Sequence, residues 1–351
     1  MKEKMKKRNL LGIWVTLAAL ICVSGVLMFI FVSYSKSLGQ QEVSKEYDKY
    51  YVMIADDPKA SLWQSVYESA FNAGLDQNIY VEMLSDRFSE NYTKYQLMEI
   101  AIASKVDGII LSADESDEMT QLINSAMKKK IPVVTVFSDN ANSARISFVG
   151  IGNYNLGKEY GNLISELSEA GNSQYRTIKV SVLVDSNSRD SSQNVLYAAI
   201  QEAVEEDSRK HPYSHSPISL SLYSVDATNR FSVEESVRGL LQKKDDLPDV
   251  VVCLNEIDTT SVYQAVVDYN EVGKISILGY YDSEAILKGI ERNVIYSTIS
   301  VDTAQLGQFS IDALNEYHEM GNTSQYFTAD VSIIKKSNVS AHLKEGATDE
   351  E

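Results

Sequence analysis

Cysteine, histidine and proline are scarce in this chain of 351 residues, and each scarcity removes a class of explanation. Cys22 falls in an apolar run near the N-terminus and Cys253 in a strand-like run far downstream. No disulfide framework therefore holds the fold together, and Cys253 reads as a small buried apolar residue. The four histidines, His211, His215, His318 and His342, are scattered. The one pair with metal-like spacing, His211 and His215, has Pro212 between its members, which argues against the helix such a pair would need. Five prolines in a composition 44% hydrophobic and 23% charged leave little room for a long disordered region. Positive charge is also short: the net charge is −17, and basic residues beyond the first eight positions are dispersed. Such a surface repels a phosphate backbone, so nucleic acid is not an expected partner. There is no Walker-type phosphate loop and no G-x-S-x-G elbow, and Gly150-x-Gly152 is too short for a dinucleotide fingerprint. No catalytic residue, cofactor or metal is therefore expected.

Among the features present, the N-terminus is the plainest. Residues 10–32 carry no charge and follow Lys2, Lys4, Lys6, Lys7 and Arg8. A bilayer span takes about 20 apolar residues, and a basic flank stays on the cytoplasmic side. A cleaved signal peptide has a shorter apolar core, about 7–15 residues, ending in a small-x-small site. The reading is a cytoplasmic tip and transmembrane anchor over residues 1–34, in contact with lipid through residues 10–32. A polar stalk over 35–49 leads to an extracytoplasmic remainder.

From Tyr50 onward short apolar runs alternate with segments of helical period, the pattern of parallel sheets covered by crossover helices. Strands are predicted at 50–55, 79–84, 107–111, 132–137 and 146–150, then at 178–184, 218–223, 250–254, 275–279 and 295–299. Helical stripes lie between them, for example Met119, Leu122, Ile123, Ala126 and Met127. Two successive βα series predict an α/β fold of two doubly wound parallel-sheet lobes. In such sheets ligands bind outside the carboxyl ends of the strands.

The turns after strands therefore supply the candidate ligand-binding residues. Asp56 and Asp57 precede Trp63, a pairing of hydroxyl acceptor and aromatic face suited to a small-molecule pocket; acids at a helix N-terminus and a core tryptophan are the alternative. Phe137, Ser138 and Asp139 end the fourth strand, as a cleft lining or as an Asx-type turn. The polar loop 184–190 opens a helix, as ligand contact or as cap. Asn255 follows the strand of Cys253 with an amide able to donate and accept. Tyr280, Tyr281 and Asp282 follow the next strand. Asp302 follows the last one, as a site residue or an N-cap.

These pieces, in their order and spacing, resemble the type I periplasmic binding proteins of the ribose-binding family over roughly residues 50–338. The resemblance rests on 50–55 with Leu62, Trp63 and Gly74, Val106-Asp107-Gly108-Ile109-Ile110, Ile131-Pro132-Val133-Val134, Gly152-Asn153 with Leu156-Gly157, Pro248-Asp249-Val250, Leu254-Asn255-Glu256 and Ile277-Leu278-Gly279-Tyr280. It implies two similar lobes joined by three hinge crossovers, near Ile151, Val301 and Phe327. The N-lobe would then be 50–151 plus 302–327, the C-lobe 152–301 plus 328–338, and 339–351 an acidic flexible tail. Residue by residue, the family's stacking aromatic pair falls on Leu62-Trp63 and its binding asparagine on Asn255. Its aromatic-acid pair falls on Tyr280-Tyr281, with Asp282 one place later. The chain departs where the sugar binders carry Asp-Arg, having Phe137-Ser138. It also departs where a second arginine opens a C-lobe helix, having Asn194, and where the hinge glutamine would stand, having Val301. Arg189 is the nearest substitute for a missing arginine.

The function so implied is that of a membrane-anchored solute-binding protein, not an enzyme. It would close on a small polar ligand, a sugar or related solute, and hand it to a membrane permease for ABC-type import. The alternative is a ligand-sensing subunit that signals to a membrane histidine kinase; a less favoured one is an enzyme on an α/β scaffold.

Overall fold

A computed structural model of the chain describes residues 24–26, 28, 46–88, 92–170, 176–187, 192–211, 216–243 and 246–345. The chain divides into two compact units, residues 1–48 and 49–351. In the first, residues 24–26 and 28 are helical. The rest of the expected membrane span at 10–32, most of the stalk at 35–49, Arg189 and the last six residues of the tail lie outside the described residues. Among the described residues no helix is long and apolar enough to cross a membrane.

The second unit is built from two six-stranded sheets. The first holds β1 (Lys49–Ile54), β2 (Ile79–Met83), β3 (Gly108–Leu111), β4 (Val133–Val136), β5 (Ser147–Gly150) and β11 (Tyr326–Thr328), in the order β11-β5-β4-β3-β1-β2. The second holds β6 (Ile178–Asp185), β7 (Ile218–Val225), β8 (Val250–Val252), β9 (Ser276–Tyr280), β10 (Ile295–Val301) and β12 (Val331–Lys335), in the order β12-β10-β9-β8-β6-β7. Every pair is parallel except β10 with β12. Parallel neighbours need a crossover, and helices supply it. They are α1 (Ser61–Asp76), α2 (Lys94–Ser104) and α3 (Asp117–Lys128), then α4 (Asn153–Ala170), α5 (Ser192–Lys210), α6 (Arg230–Leu241), α7 (Glu256–Asp268) and α8 (Glu284–Glu291), and finally α9 (Thr303–Met320) and α10 (Val339–Glu345).

Coverage on both faces explains why the central strands read as continuous apolar runs. Along β1, Tyr51 and Met53 face one buried cluster while Val52 and Ile54 face another. The first of these clusters extends through Leu156 and Val301 to Val180 and Val182 of the second sheet. Apolar contact is thus continuous between the sheets.

The chain passes from one sheet to the other three times: between β5 and α4, between β10 and α9, and between β11 and β12. Backbone bonds tie these passages together. Ala329 N–H donates to Gly150 O at 2.8 Å and Asp302 N–H to Asp330 O at 3.0 Å. Gln305 adds a reciprocal pair with Asp330, at 2.9 Å each way.

The ten strands predicted from periodicity are all present, and β11 and β12 are additional. Neither has the signal of a buried strand: β11 spans three residues with exposed or half-buried side chains, and both owe their existence to the sheet edges they pair with. The run predicted at 250–254 stops at Val252, which frees Leu254 and Asn255 for the turn.

One buried side chain anchors the strand ends of the second sheet. Tyr160 on α4 is fully buried, and its hydroxyl lies 2.9 Å from Cys253 O and 3.0 Å from Gly279 O. It is shared between the ends of β8 and β9, just before the turns that carry Asn255 and Tyr281. A buried carbonyl that loses its donor costs about 1–3 kcal/mol. Tyr160→Phe is therefore expected to lower unfolding free energy by that amount in urea titration; an unchanged midpoint would show that the hydroxyl holds nothing in place.

Candidate functional site

Both sheets have the strand order 2-1-3-4-5, counting each βα series from its own first strand, with one added edge strand. The order reverses between β1 and β3 in one sheet and between β6 and β8 in the other. Outside such a reversal the flanking helices leave a crevice, where open α/β sheets bind ligands. The two crevices open on a common cavity of about 600 Å³, within the roughly 300–1,000 Å³ typical of small-molecule sites.

The first sheet contributes Asp56 and Asp57 after β1, Leu62 and Trp63 on α1, Ala113 and Asp114 after β3, and Ser138 after β4. Lys94 and Tyr95 enter from the first turn of α2. They are held there by a capping box in which Thr93 accepts from Gln96 N–H and donates its own N–H to the Gln96 side chain. Lys94 Nζ lies 2.9 Å from Asp56 Oδ1 and 3.1 Å from Asp114 Oδ2. Asp114 also accepts from Tyr95 OH at 2.8 Å and from Ser116 N–H at 2.9 Å, and Asp56 accepts from Ser112 Oγ. Burial pushes the Asp114 carboxyl up, but the bonds from Ser116 and Tyr95 and the Lys94 charge outweigh it, lowering it to about 2. This wall is electrostatically settled: its one ammonium sits between two carboxylates.

The second sheet contributes Asp185 at the end of β6 and Asn187 after it, Ser192 and Gln193 at the start of α5, Ala227 after β7, and residues 254–258 after β8. Asn255 caps α7, accepting from Asp258 N–H at 2.8 Å while its amide donates to Asp258 Oδ2 at 2.8 Å. Asp258 is only 3% exposed, and its Oδ1 has no hydrogen-bond partner. Burial, with the Asp185 charge adding to it and the Asn255 bond opposing it, raises this carboxyl to about 7. Side chains carried by the two sheets also meet directly beside the cavity. Ser61 Oγ donates to Glu256 Oε1 at 2.5 Å, and the hydroxyls of Ser65 and Tyr281 meet at 2.9 Å.

Of the twelve candidates named from sequence, the structure brings Asp56, Asp57, Trp63, Ser138 and Asn255 to the cavity. Phe137 stands behind it, edge-on to Trp63 with ring centres 5.2 Å apart, and its φ of 61° bends the chain out of β4. Tyr281 has the same left-handed turn after β9, with φ 73°. Such conformations are costly for a bulky residue, and they concentrate at functional sites. The other five lie away from the cavity lining. Asp139 is clamped by Arg145, whose Nη2 donates to Oδ2 at 2.6 Å. Asn194 is exposed on α5, outside the cavity lining. Tyr280 is buried in the core, as alternation along β9 requires. Asp282 accepts from Ser300 Oγ at 2.7 Å, and Asp302 is the N-cap of α9, accepting from Gln305 N–H at 2.9 Å.

Lys94, Tyr95, Asp114, Gln193 and Asp258 were not singled out from sequence, while Asp185 and Asn187 belong to the polar loop 184–190 that was. Asp114 obeyed the rule used for the others, since it follows β3, and could have been found. Lys94 and Tyr95 follow a loop between β2 and α2 that contains a short 3-10 turn, so no strand end marks them.

Residues 51–322 match the family described as a periplasmic binding protein domain. No curated protein sequence is significantly similar to the chain. Among solved structures the chain resembles GanP, a glucose-galactose binding protein from Geobacillus stearothermophilus, at 20% identity over 84% of this chain and 99% of that one, with a TM-score of 0.71. It resembles XylFII in the XylFII-LytSN complex at 21% identity, over 83% and 99%, with a TM-score of 0.68. It resembles a solute-binding protein of an ABC transporter from Agrobacterium vitis, solved with D-fucose, at 16% identity over 84% and 98%, with a TM-score of 0.68.

The environment of Asp258 makes stability pH-dependent. Its folded value lies above the ordinary 3.8, so the fold favours the protonated form. Stability is then lost as pH rises from about 4 to about 7, and the whole penalty is present above that. Asp258→Asn is expected to raise stability at pH 8 by roughly 1–3 kcal/mol and to change it little at pH 4. Equal effects at the two pH values, read as shifts in thermal midpoint, would contradict this account.

Proposed function

Because the chain belongs to the periplasmic binding protein domain family, we propose that it is an extracytoplasmic, membrane-anchored solute-binding protein whose two lobes close on a small polar ligand of the sugar class for ABC-type import. The observation that carries this reading is the shared cavity, in which the reversal points of two sheets face one another and three hydrogen-bonded passages join the lobes. A ligand held there touches both walls, so it binds the closed arrangement better than the open one, and that difference drives closure. Trp63 and Tyr95 supply aromatic faces for a sugar ring. The Asp56–Lys94–Asp114 group supplies fixed hydroxyl acceptors and a donor, replacing the Asp-Arg pair that Phe137-Ser138 displaces.

The anchor reading rests on residues 10–32 of the sequence, and the lobes are taken as 50–151 with 302–327 and 152–301 with 328–338. A sensing role uses the same cleft and differs only in what reads the closed state. It is favoured by likeness to XylFII, found in complex with LytSN.

Trp63 offers a direct test, since the chain has only one other tryptophan, Trp14. Titration of the full chain with a panel of aldohexoses and aldopentoses is expected to change tryptophan emission saturably for at least one of them. Trp63→Phe should abolish the signal while calorimetry still detects binding weakened by roughly tenfold, on the order of 1–2 kcal/mol for a lost aromatic face. No saturable signal and no heat from any monosaccharide would refute the sugar class.

A further inference from the structure

The cavity is one-sided in charge. Six carboxylates line it, those of Asp56, Asp57, Asp114, Asp185, Glu256 and Asp258, and Lys94 is the single cationic side chain among the described lining residues. Lys94 belongs wholly to the first wall, where Asp56 and Asp114 already hold it. Nothing comparable stands against the second wall. The described lining there holds Asp185, Glu256 and Asp258 without a cation. The N-terminus of α7 offsets about half an elementary charge of this wall.

Two oxygens of the second wall have unused accepting capacity. Asp258 Oδ1 and Glu256 Oε2 are both shielded from solvent and have no hydrogen-bond partner. Their carboxylate partners are engaged, Asp258 Oδ2 by Asn255 and Glu256 Oε1 by Ser61. Asp258 as a whole is 97% buried, being only 3% exposed. Leaving a charged oxygen buried and unpaired is expensive. A neutral sugar hydroxyl would supply the hydrogen bond but leave Asp258 to answer its burial by keeping its proton, whereas an ammonium supplies both the bond and the charge that lets the carboxyl ionise.

We infer that the cleft selects a solute that carries a protonated amine among its hydroxyls, an amino sugar, with the amine seated against Asp258 and Glu256 and the ring hydroxyls toward Asp56, Lys94 and Asp114. The inference rests on the sugar-class reading for the ring and on the second wall alone for the amine. Proximity of Asp185 raises the Asp258 carboxyl further, so a cation relieves a repulsion the empty site carries. The acidic surface, with net charge −17, adds long-range attraction for a cationic solute.

The test is calorimetric titration of the full chain with matched pairs, D-glucose against D-glucosamine and D-galactose against D-galactosamine, with the uncharged N-acetylated forms and putrescine as further probes. At least one amine is expected to bind tenfold or more tighter than its neutral partner. Raised salt should erode that preference, and Asp258→Asn or Glu256→Gln should reduce it, with neutral-sugar binding changed less. Equal or tighter binding of the neutral sugars overturns the inference and leaves the sugar reading standing. Binding of putrescine with no response to any sugar overturns the sugar reading and leaves amine selection standing. Silence with every probe refutes both.

Discussion

Parallel pairing is the constraint from which the rest follows. Because consecutive parallel strands must be joined by crossovers, every βα turn of a sheet emerges at one edge, and because each sheet reverses its order between its first and third strands, that edge is split by a crevice. The two sheets repeat the same order. The three passages between them are pinned by the Gly150, Asp302, Gln305 and Asp330 contacts. A cavity with one wall from each sheet is the geometric result, and the polar residues of the βα turns are what it has to work with.

The two walls solve the problem of buried charge differently. On the first, Asp56 and Asp114 converge on Lys94, and hydroxyls from Ser112 and Tyr95 complete the carboxylates. Burial there costs little because each acid has a partner. On the second wall Asp258 is more deeply buried, is satisfied on one oxygen only, and feels Asp185 nearby. That residue type in that place weakens the fold near neutral pH. A site that spends stability on an unpaired acceptor is poised to regain it from a ligand that brings a proton donor and a positive charge.

Much of this could be read before any coordinates. Alternation of short apolar runs with helical stripes located ten strands, and the rule that ligands lie beyond strand ends led to Asp56, Asp57, Trp63, Ser138 and Asn255. The same rule also led to Asp139, Tyr280, Asp282 and Asp302, which a linear pattern does not separate from the first group. Asp139 has Arg145 six residues on, and only folding shows that the pair closes on itself. Tyr280 and Tyr281 are adjacent and buried in the same cluster, yet only Tyr281 turns through positive φ, so that its hydroxyl reaches Ser65 of the opposite lobe.

By itself the sequence determined the order of strands and helices, the two βα series and hence the edge on which polar turns gather, because periodicity and crossover rules act locally along the chain. It also determined the acidity of the molecule and the uncharged run at residues 10–32. Tertiary structure alone decided which turn residues meet. Lys94 reaches Asp56 and Asp114 from a separate segment, Ser61 meets Glu256 from the opposite sheet, and Asp258 is left with a free oxygen. Pairing of charges depends on distances of a few ångströms between residues far apart in sequence, and no spacing along the chain encodes it.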